Sequence, residues 1–338
     1  MKKIRLAAID IGTNSIRCII VEADKQGKYS ILDDEKATVR LGEGLGRDNS
    51  ISGAAWQRAM EALSRMKKII DGYRVAAIET AATSAVRRAT NGAAFVSAVA
   101  DKIGLHINII SGEDEAELAL ASARHNFDME GTRYAMIDIG GGSVEIVTAL
   151  GSHIEKISSL ELGAVTLTDN FIANDPITPE EDQRLRKHIR KTLKNALAGI
   201  DLSAQNLIGS GGTMTTIAAM GMALRKESYG STHGHEVLRS EVVHLLAMLK
   251  RKNVTERRSI PGLQPDRADI IIAGVTVVDE LMEFFSANFL TINERGIREG
   301  LILKALHGQN LLPAATTPKN WREGVLEFAR SCHNDEEH

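Results

Sequence analysis

The feature that most constrains this chain is an internal repeat. Ala8-Ile9-Asp10-Ile11-Gly12-Thr13-Asn14-Ser15-Ile16 recurs 128 positions later as Met136-Ile137-Asp138-Ile139-Gly140-Gly141-Gly142-Ser143-Val144. Each copy is an apolar run ending in Asp, then a glycine turn, then a second β-branched run, the pattern of a β-hairpin. A duplicated hairpin calls for two bodies of like fold. The 338 residues give room for two domains with cores of their own, at roughly 100–200 residues each.

Alternating apolar patterns predict strands over 4–11, 15–21, 29–40, 75–80, 106–110, 133–139, 144–150, 154–160, 206–209 and 288–292. Between them lie helix patterns. Trp56, Met60, Leu63, Met66 and Ile70 repeat at steps of three and four, as do Val242, Leu245, Leu246 and Leu249, and Val278, Leu281, Met282 and Phe285. Ser52, Asn91 and Thr178-Pro179-Glu180-Glu181 mark helix starts. Each half reads as hairpin strands followed by α/β units, which makes two mixed-sheet α/β domains. The polar, glycine-containing stretch 128–132 is the expected boundary, and a helix from Gly296 to Leu306 is expected to return to the first half. The expected division is 1–130 plus 297–325, then 131–296, with a polar tail over 326–338.

Composition narrows the function. Lys and Arg total 41 against 44 Asp and Glu, a net charge of −3, and Trp, Tyr and Phe number only 2, 4 and 7. That balance offers neither the basic surface that duplex nucleic acid needs nor platforms for stacking single strands. No apolar run reaches the roughly 18 residues of a membrane span, and the start lacks a signal-peptide pattern, so the expected location is the cytoplasm. With two cysteines, Cys18 and Cys332, there is no disulfide framework and no multi-thiolate zinc site. An anionic ligand must then be held by a local site.

Glycine turns are where such sites form. Gly12, Thr13, Asn14 and Ser15, with Arg17 beyond, offer backbone N–H groups, hydroxyls, an amide and a guanidinium to phosphate oxygens, and Asp10 before them suits a metal ion. Taken alone the segment reads more simply as a plain hairpin turn. The second copy adds Gly140, Gly141, Gly142 and Ser143, flanked by the carboxylates of Asp138 and Glu145. A third turn, Gly209-Ser210-Gly211-Gly212-Thr213, ends a strand and opens an apolar helix. Three such turns in one chain favour phosphate binding.

Other clusters admit two readings. Ser111-Gly112-Glu113-Asp114-Glu115 opens a helix, where acids complement the macrodipole, or where one acid serves as a general base near phosphate. Arg87 and Arg88 are a solvated pair or phosphate ligands. His233-Gly234-His235-Glu236 has no partner cluster for zinc and more simply shapes a loop. The basic run Arg184, Arg186, Lys187, His188, Arg190, Lys191 and Lys194 is a solvated helix face or a polyanion track. The helices near 239–252 and 277–285 carry enough apolar surface for a homodimer, or for a core.

These segments, together with Ala82-Thr83-Ser84-Ala85-Val86-Arg87, Thr232-His233-Gly234, Pro261-Gly262-Leu263, Arg267-Ala268-Asp269 and Gly296-Ile297-Arg298-Glu299-Gly300, resemble the exopolyphosphatase/guanosine pentaphosphate phosphohydrolase family of the actin-like superfamily. They occur in family order along nearly the whole chain. The resemblance implies two ribonuclease-H-like domains around an interdomain cleft that hydrolyses terminal phosphates.

By the resemblance, Glu115 is the general base. Asp138 and Glu145 hold Mg²⁺ or Mn²⁺ and position water, beside Asp10, whose place at a strand end suits the same ion. The turns at Gly12–Ser15 and Gly140–Ser143 bind phosphoryl oxygens, with Arg87 closing over them, and the helix-start turn Gly211–Thr213 is expected to join them. The implied substrate is inorganic polyphosphate, short chains above long ones because no further C-terminal domain follows, with guanosine pentaphosphate as the alternative. A small-molecule kinase using ATP is the reading from another class. Where many relatives carry Arg, this chain has Thr166.

Overall fold

The computed structural model describes residues 3–45, 49–200, 206–227 and 230–311. The 326–338 tail, the 312–325 part of the expected first domain and Cys332 lie outside them.

Among the described residues, ten strands are shared between two sheets. β1 (Ile4–Ile11), β2 (Ser15–Ala23), β3 (Tyr29–Thr38) and β4 (Ala77–Ala82) form the first, in the order β3-β2-β1-β4. β5 (Arg133–Ile139), β6 (Val144–Leu150), β7 (His153–Leu160), β8 (Asn206–Ser210), β9 (Glu236–Leu238) and β10 (Phe289–Asn293) form the second, in the order β7-β6-β5-β8-β10-β9. In each sheet the hairpin and third strand run antiparallel and the fourth pairs parallel to the first. The repeat in sequence is therefore a repeat in topology, the ribonuclease-H-like order in both halves.

Helices cover the sheets by their apolar faces. α1 (Gly53–Tyr73) is capped by Ser52, whose hydroxyl accepts from the Ala55 N–H, and it buries Ala55, Ala59, Ala62, Leu63, Met66 and Ile70. These pack with α2 (Ser84–Arg88) and α3 (Gly92–Ile103) on one face of the first sheet. α4 (Gly112–Asn126) turns Ala116, Ala119, Leu120 and Ala123 against Tyr134, Met136, Val147 and Ala149 of the second sheet. On the other face of that sheet lie α5 (Ala164–Phe171), α6 (Pro179–Ala196), α7 (Gly212–Leu224), α8 (Arg239–Lys250), α9 (Val254–Arg257) and α10 (Ile271–Phe284). The last helix, α11 (Gly296–Gly308), returns to the first sheet, where Leu301, Ile302, Ala305 and Leu306 meet Leu6, Ala8, Ile19 and Val21. No helix of the described residues is long and apolar enough to cross a membrane.

Some expectations change. The strand expected over 106–110 is a single parallel bridge between Ala82 and Ile109. At the bridge the Ala82 N–H donates to the Asn108 carbonyl (2.8 Å) and the Ile110 N–H to the Ala82 carbonyl (3.1 Å), while further back the Thr80 hydroxyl donates to the His106 carbonyl (2.6 Å) and accepts from the Asn108 N–H (3.3 Å), so a side chain takes over where the ladder stops. The 29–40 strand stops at Thr38, because the Val39 and Arg40 N–H groups turn to the Asn14 carbonyl (3.1 and 2.8 Å). β9, only three residues long, was too short to show as a pattern. The apolar faces of α8 and α10 are core: Val242, Leu245, Leu249, Val278, Leu281 and Met282 are buried together. They lend no support to a homodimer.

Candidate active site

The repeated hairpins end in matching turns. The Gly12 N–H donates to the Ser15 carbonyl (3.1 Å) and the Gly140 N–H to the Ser143 carbonyl (3.0 Å). In register, Asp10 lies opposite Arg17 on the first hairpin and Asp138 opposite Glu145 on the second. The turns abut: a methyl group added at Gly142 would stand 2.4 Å from Ser84 Oγ and 2.6 Å from Thr13 Oγ1. Only glycine there lets the two halves meet so closely.

Beside this junction opens a cleft of about 870 Å³. It is lined by Asp10, by Gly12 to Ser15, by Arg17, by Glu115, by Asp138, by Gly140 to Ser143, and by Gly211 and Gly212. Most of the residues expected from the sequence thus converge on one space. Thr213 does not: it is buried, with its side chain against Gly274 of α10, and Thr215 lines the cleft instead. Two residues along a helix is about half a turn, so neighbours-but-one face apart.

Glu145 is fully buried behind the second turn, where Oε1 accepts from Ser159 Oγ (2.8 Å). Arg87 does not close over the turns. Its Nη1 donates to the Ile110 carbonyl (2.8 Å) and to Glu115 Oε2 (3.1 Å), which fixes the carboxylate at the first turn of α4. Ser111 and Asp114 form a capping box at that helix start, so Asp114 is spent on the cap while Glu115 faces the cleft.

The sequence reading missed three cleft arginines: Arg267, Arg295 and Arg298. Arg267 lies in a 3₁₀ turn, Pro265–Arg267, clasped to β3. Lys36 Nζ donates to Asp266 (2.9 Å), Thr38 Oγ1 to Asp266 (2.5 Å) and Arg40 Nη1 to Asp269 (2.6 Å). The clasp turns Arg267 inward onto the third turn, where a Cβ on Gly212 would stand 1.7 Å from its Nη2. Gly211 has φ +94°, and a Cβ there would meet the Ile139 carbonyl at 2.3 Å. The acid-Arg-x-acid pattern around Arg267 was a signal, but it names no partner without the fold. Arg298 is ion-paired with Asp34.

Charge is divided unevenly. Burial pushes the Asp10 carboxyl up to about 6, with Arg298 and Arg17 opposing. Burial and then the neighbouring Asp10 push Asp138 to about 7. Burial and then Asp138 push Glu145 to about 8. Burial, then Glu145, hold Glu115 well above the carboxylate range in spite of Arg87. On the other wall, burial and then Arg298 lower Arg17 to about 10, and burial lowers Arg267. Such a site takes up a cation beside its acids and an anion beside its arginines.

Unpartnered atoms mark the same two places. Asp10 Oδ1 lacks a donor, and Asn14 Nδ2 and Arg17 Nε lack acceptors, among the described residues. Among those residues no three carboxylate, imidazole or thiol groups stand close enough to enclose an ion alone. Mg²⁺ is usually held by one or two carboxylates, with phosphate oxygens and water completing its shell, which Asp10 and Asp138 fit.

Other expectations fall outside the cleft. His233 packs on Phe127 (5.0 Å between ring centres) and His235 Nε2 meets Arg225 Nη2 at 2.7 Å. Of the basic run, Arg186 and Arg190 are bound to the buried Glu280, and none of the run lines the cleft.

Comparison with known proteins matches residues 19–309 to the Ppx/GppA phosphatase family. Exopolyphosphatase 2 of Mycobacterium tuberculosis is 31% identical over 313 residues, covering 88% of this chain and 98% of that protein. The solved Ppx/GppA family member of Aquifex aeolicus superposes with a TM-score of 0.77 at 28% identity, covering 91% of this chain and 99% of the other. A solved exopolyphosphatase from Cytophaga hutchinsonii gives a TM-score of 0.85 at 25% identity, over 91% of this chain and all of that one.

Proposed function

Because the chain belongs to the Ppx/GppA phosphatase family, we propose that it is an exopolyphosphatase, releasing orthophosphate from the end of inorganic polyphosphate. The observation that carries this reading is the make-up of the cleft. Backbone turns, hydroxyls and four arginines face buried acids, and among the described residues no aromatic ring lines the cleft to stack a base. The backbone N–H groups, hydroxyls and guanidiniums there suit phosphate oxygens.

In this reading the terminal phosphoryl group lies against the Gly12–Ser15 and Gly140–Ser143 turns, with the rest of the polymer toward Arg17, Arg267 and Arg298. Asp10 and Asp138, with Glu145 behind them, would hold Mg²⁺ or Mn²⁺. The ion supplies charge neutralisation at the phosphoryl oxygens. Glu115 takes the proton from the attacking water. Burial and the neighbouring Glu145 raise its affinity for that proton above that of an ordinary carboxylate. Arg87 keeps the carboxylate aimed, a positioning task. Hydrolysis of a phosphoanhydride is chiefly alignment plus charge stabilisation, and the two walls divide that work.

The test is orthophosphate release by the purified protein from short polyphosphate, long polyphosphate and guanosine pentaphosphate, side by side. We expect polyphosphate to give the highest kcat/KM. A clearly higher value for guanosine pentaphosphate transfers the same chemistry to that nucleotide. Formation of ADP from ATP only in the presence of an acceptor would make the protein a kinase.

A further inference from the structure

The chain crosses between the two halves twice, from α4 into β5 through 127–132 and from β10 into α11 through 294–295. Both crossings meet at one buried carboxylate, Glu299, in the first turn of α11. Its Oε1 accepts from Arg295 Nη1 (2.9 Å) and from the Tyr29 hydroxyl of β3, and its Oε2 accepts from Ser122 Oγ (2.7 Å) and from the Asn126 amide of α4. Resting on the exopolyphosphatase reading, we propose that Glu299 is a positioning residue for that reaction: one oxygen aims Arg295 at the polyanion, and the other steadies the helix that carries Glu115.

The two oxygens have separate tasks. Arg295 lines the cleft with a half-exposed side chain, and a long side chain at such a wall keeps one place only if a partner restrains it. Oε1 is that partner. The other oxygen reaches Glu115 through α4: Ser122 stands two turns past Glu115 on the same face, both are buried, and Asn126 is the last residue of the helix. Arg87 fixes the Glu115 carboxylate, and Glu299 fixes the helix beneath it. The helices also meet by backbone, since a methyl group added at Gly300 would stand 2.2 Å from the Leu118 carbonyl oxygen. Asn293 ties in the end of β10, donating to Ser122 Oγ (3.2 Å) and accepting from the Arg295 N–H (3.3 Å).

The chemistry of this knot calls for a carboxylate. Tyr29, Arg295, Ser122 and Asn126 all donate to it, and an ionised carboxyl only accepts. Burial works to raise the Glu299 carboxyl, but the hydrogen bonds from Tyr29 and Arg295 and the Arg295 charge outweigh it and hold the group below its ordinary value. An amide of the same shape turns its oxygen to the guanidinium, which cannot accept, and its N–H₂ to α4, where the Asn126 amide then loses its acceptor. The bond to Arg295 survives without its charge.

Splitting KM from kcat tests this. Orthophosphate release from short polyphosphate is followed at saturating Mg²⁺ in the full chain and in Arg295→Ala, Ser122→Ala, Glu299→Gln and the double variant Arg295→Ala/Glu299→Gln. We expect Arg295→Ala to raise KM about tenfold with kcat near wild type, the loss of one charge-assisted contact. Ser122→Ala should lower kcat roughly threefold with KM unchanged, because only the hold on α4 is weakened. Glu299→Gln should do both, raising KM and lowering kcat by about fivefold each. In the double variant KM should be no higher than in Arg295→Ala alone, because Glu299 has no arginine left to aim.

The role is overturned if the KM effects of Arg295→Ala and Glu299→Gln multiply in the double variant, since the two residues then act independently. It is equally overturned if Glu299→Gln keeps wild-type kinetics, or lowers kcat alone as a merely loosened fold would. Should Glu299→Gln fail to fold, Ser122→Ala decides: a lower kcat at unchanged KM supports the role, and an unchanged kcat overturns it. Wild-type protein that releases no orthophosphate from polyphosphate removes the activity and the role together, whereas active wild type with unaffected variants removes the role alone.

Discussion

Seven residues past its aspartate, the first hairpin carries Arg17 and the second carries Glu145, in otherwise superposable register. The turns have the same hydrogen bond and the aspartates the same place. The difference splits a duplicated element into two tools. The first hairpin contributes a guanidinium with an unpartnered Nε to the cleft, and the second a buried carboxylate that helps raise Glu115. Glu115 joins the second wall and Arg267 and Arg298 join the first. A symmetric pair of turns would cradle phosphate on both sides. The asymmetric pair separates gripping the anion from neutralising it and activating water.

The strongest way to break this comparison is at the acid wall. Glu115→Gln keeps the shape and the Arg87 contact but loses the proton acceptor, and turnover should fall by about 10²–10⁴ with substrate affinity within a few-fold. Saturating-substrate kinetics that retain more than a third of wild-type turnover would remove Glu115 from the mechanism.

The arginine wall should respond differently. Gly212→Ala places a methyl group on the Arg267 guanidinium and must displace it, so KM for polyphosphate should rise roughly tenfold with kcat less changed, the loss of one charge-assisted contact. An unchanged KM would mean that Arg267 does not touch substrate.

Stability against pH sharpens the same contrast. Asp10, Asp138 and Glu145 have folded-state values raised to about 6, 7 and 8. Groups shifted upward favour the fold below their ordinary carboxylate range, and that contribution is lost as pH rises through the shifted values. The metal-free protein should therefore melt several degrees lower at about pH 8.5 than at about pH 5.5, with Mg²⁺ restoring more at the higher pH. Melting that is flat with pH, or an equal Mg²⁺ effect at both, would deny the buried acid cluster.

The smallest effect concerns the sheets. β10 joins the second sheet by pairing with β8, whereas 106–110 is held to β4 by one bridge at Ala82 and by the Thr80 hydroxyl. Thr80→Val should cost about 1 kcal/mol and lower Tm by roughly 2–4 °C, leaving kinetics intact. No change in Tm would mean the hydroxyl is idle.

Much of this was legible in the sequence, for a physical reason. Hairpins and glycine turns are local, so Asp10, Asp138 and both turns could be read from eight or nine consecutive residues. Glu115 was one of several acids at a helix start. Its role came from the family resemblance, and its isolation from Asp114 needed the capping box. What escaped was non-local. Arg267 enters the cleft because Asp266 and Asp269 clasp Lys36, Thr38 and Arg40, about 230 positions earlier. The strand over 106–110 and the lining by Thr213 failed on local detail: the ladder shrinks to one bridge beside a hydroxyl, and helical phase favoured Thr215.

The division of labour between the hairpins is tested most directly by titrating Mg²⁺ and polyphosphate against two variants at the homologous position, Arg17→Ala and Glu145→Gln. The account predicts that Arg17→Ala raises KM for polyphosphate about tenfold or more and leaves the Mg²⁺ midpoint where it is. It predicts that Glu145→Gln moves the Mg²⁺ midpoint upward, with KM near wild type once Mg²⁺ is saturating. Shifts of the same parameter by the same amount in both variants would contradict it.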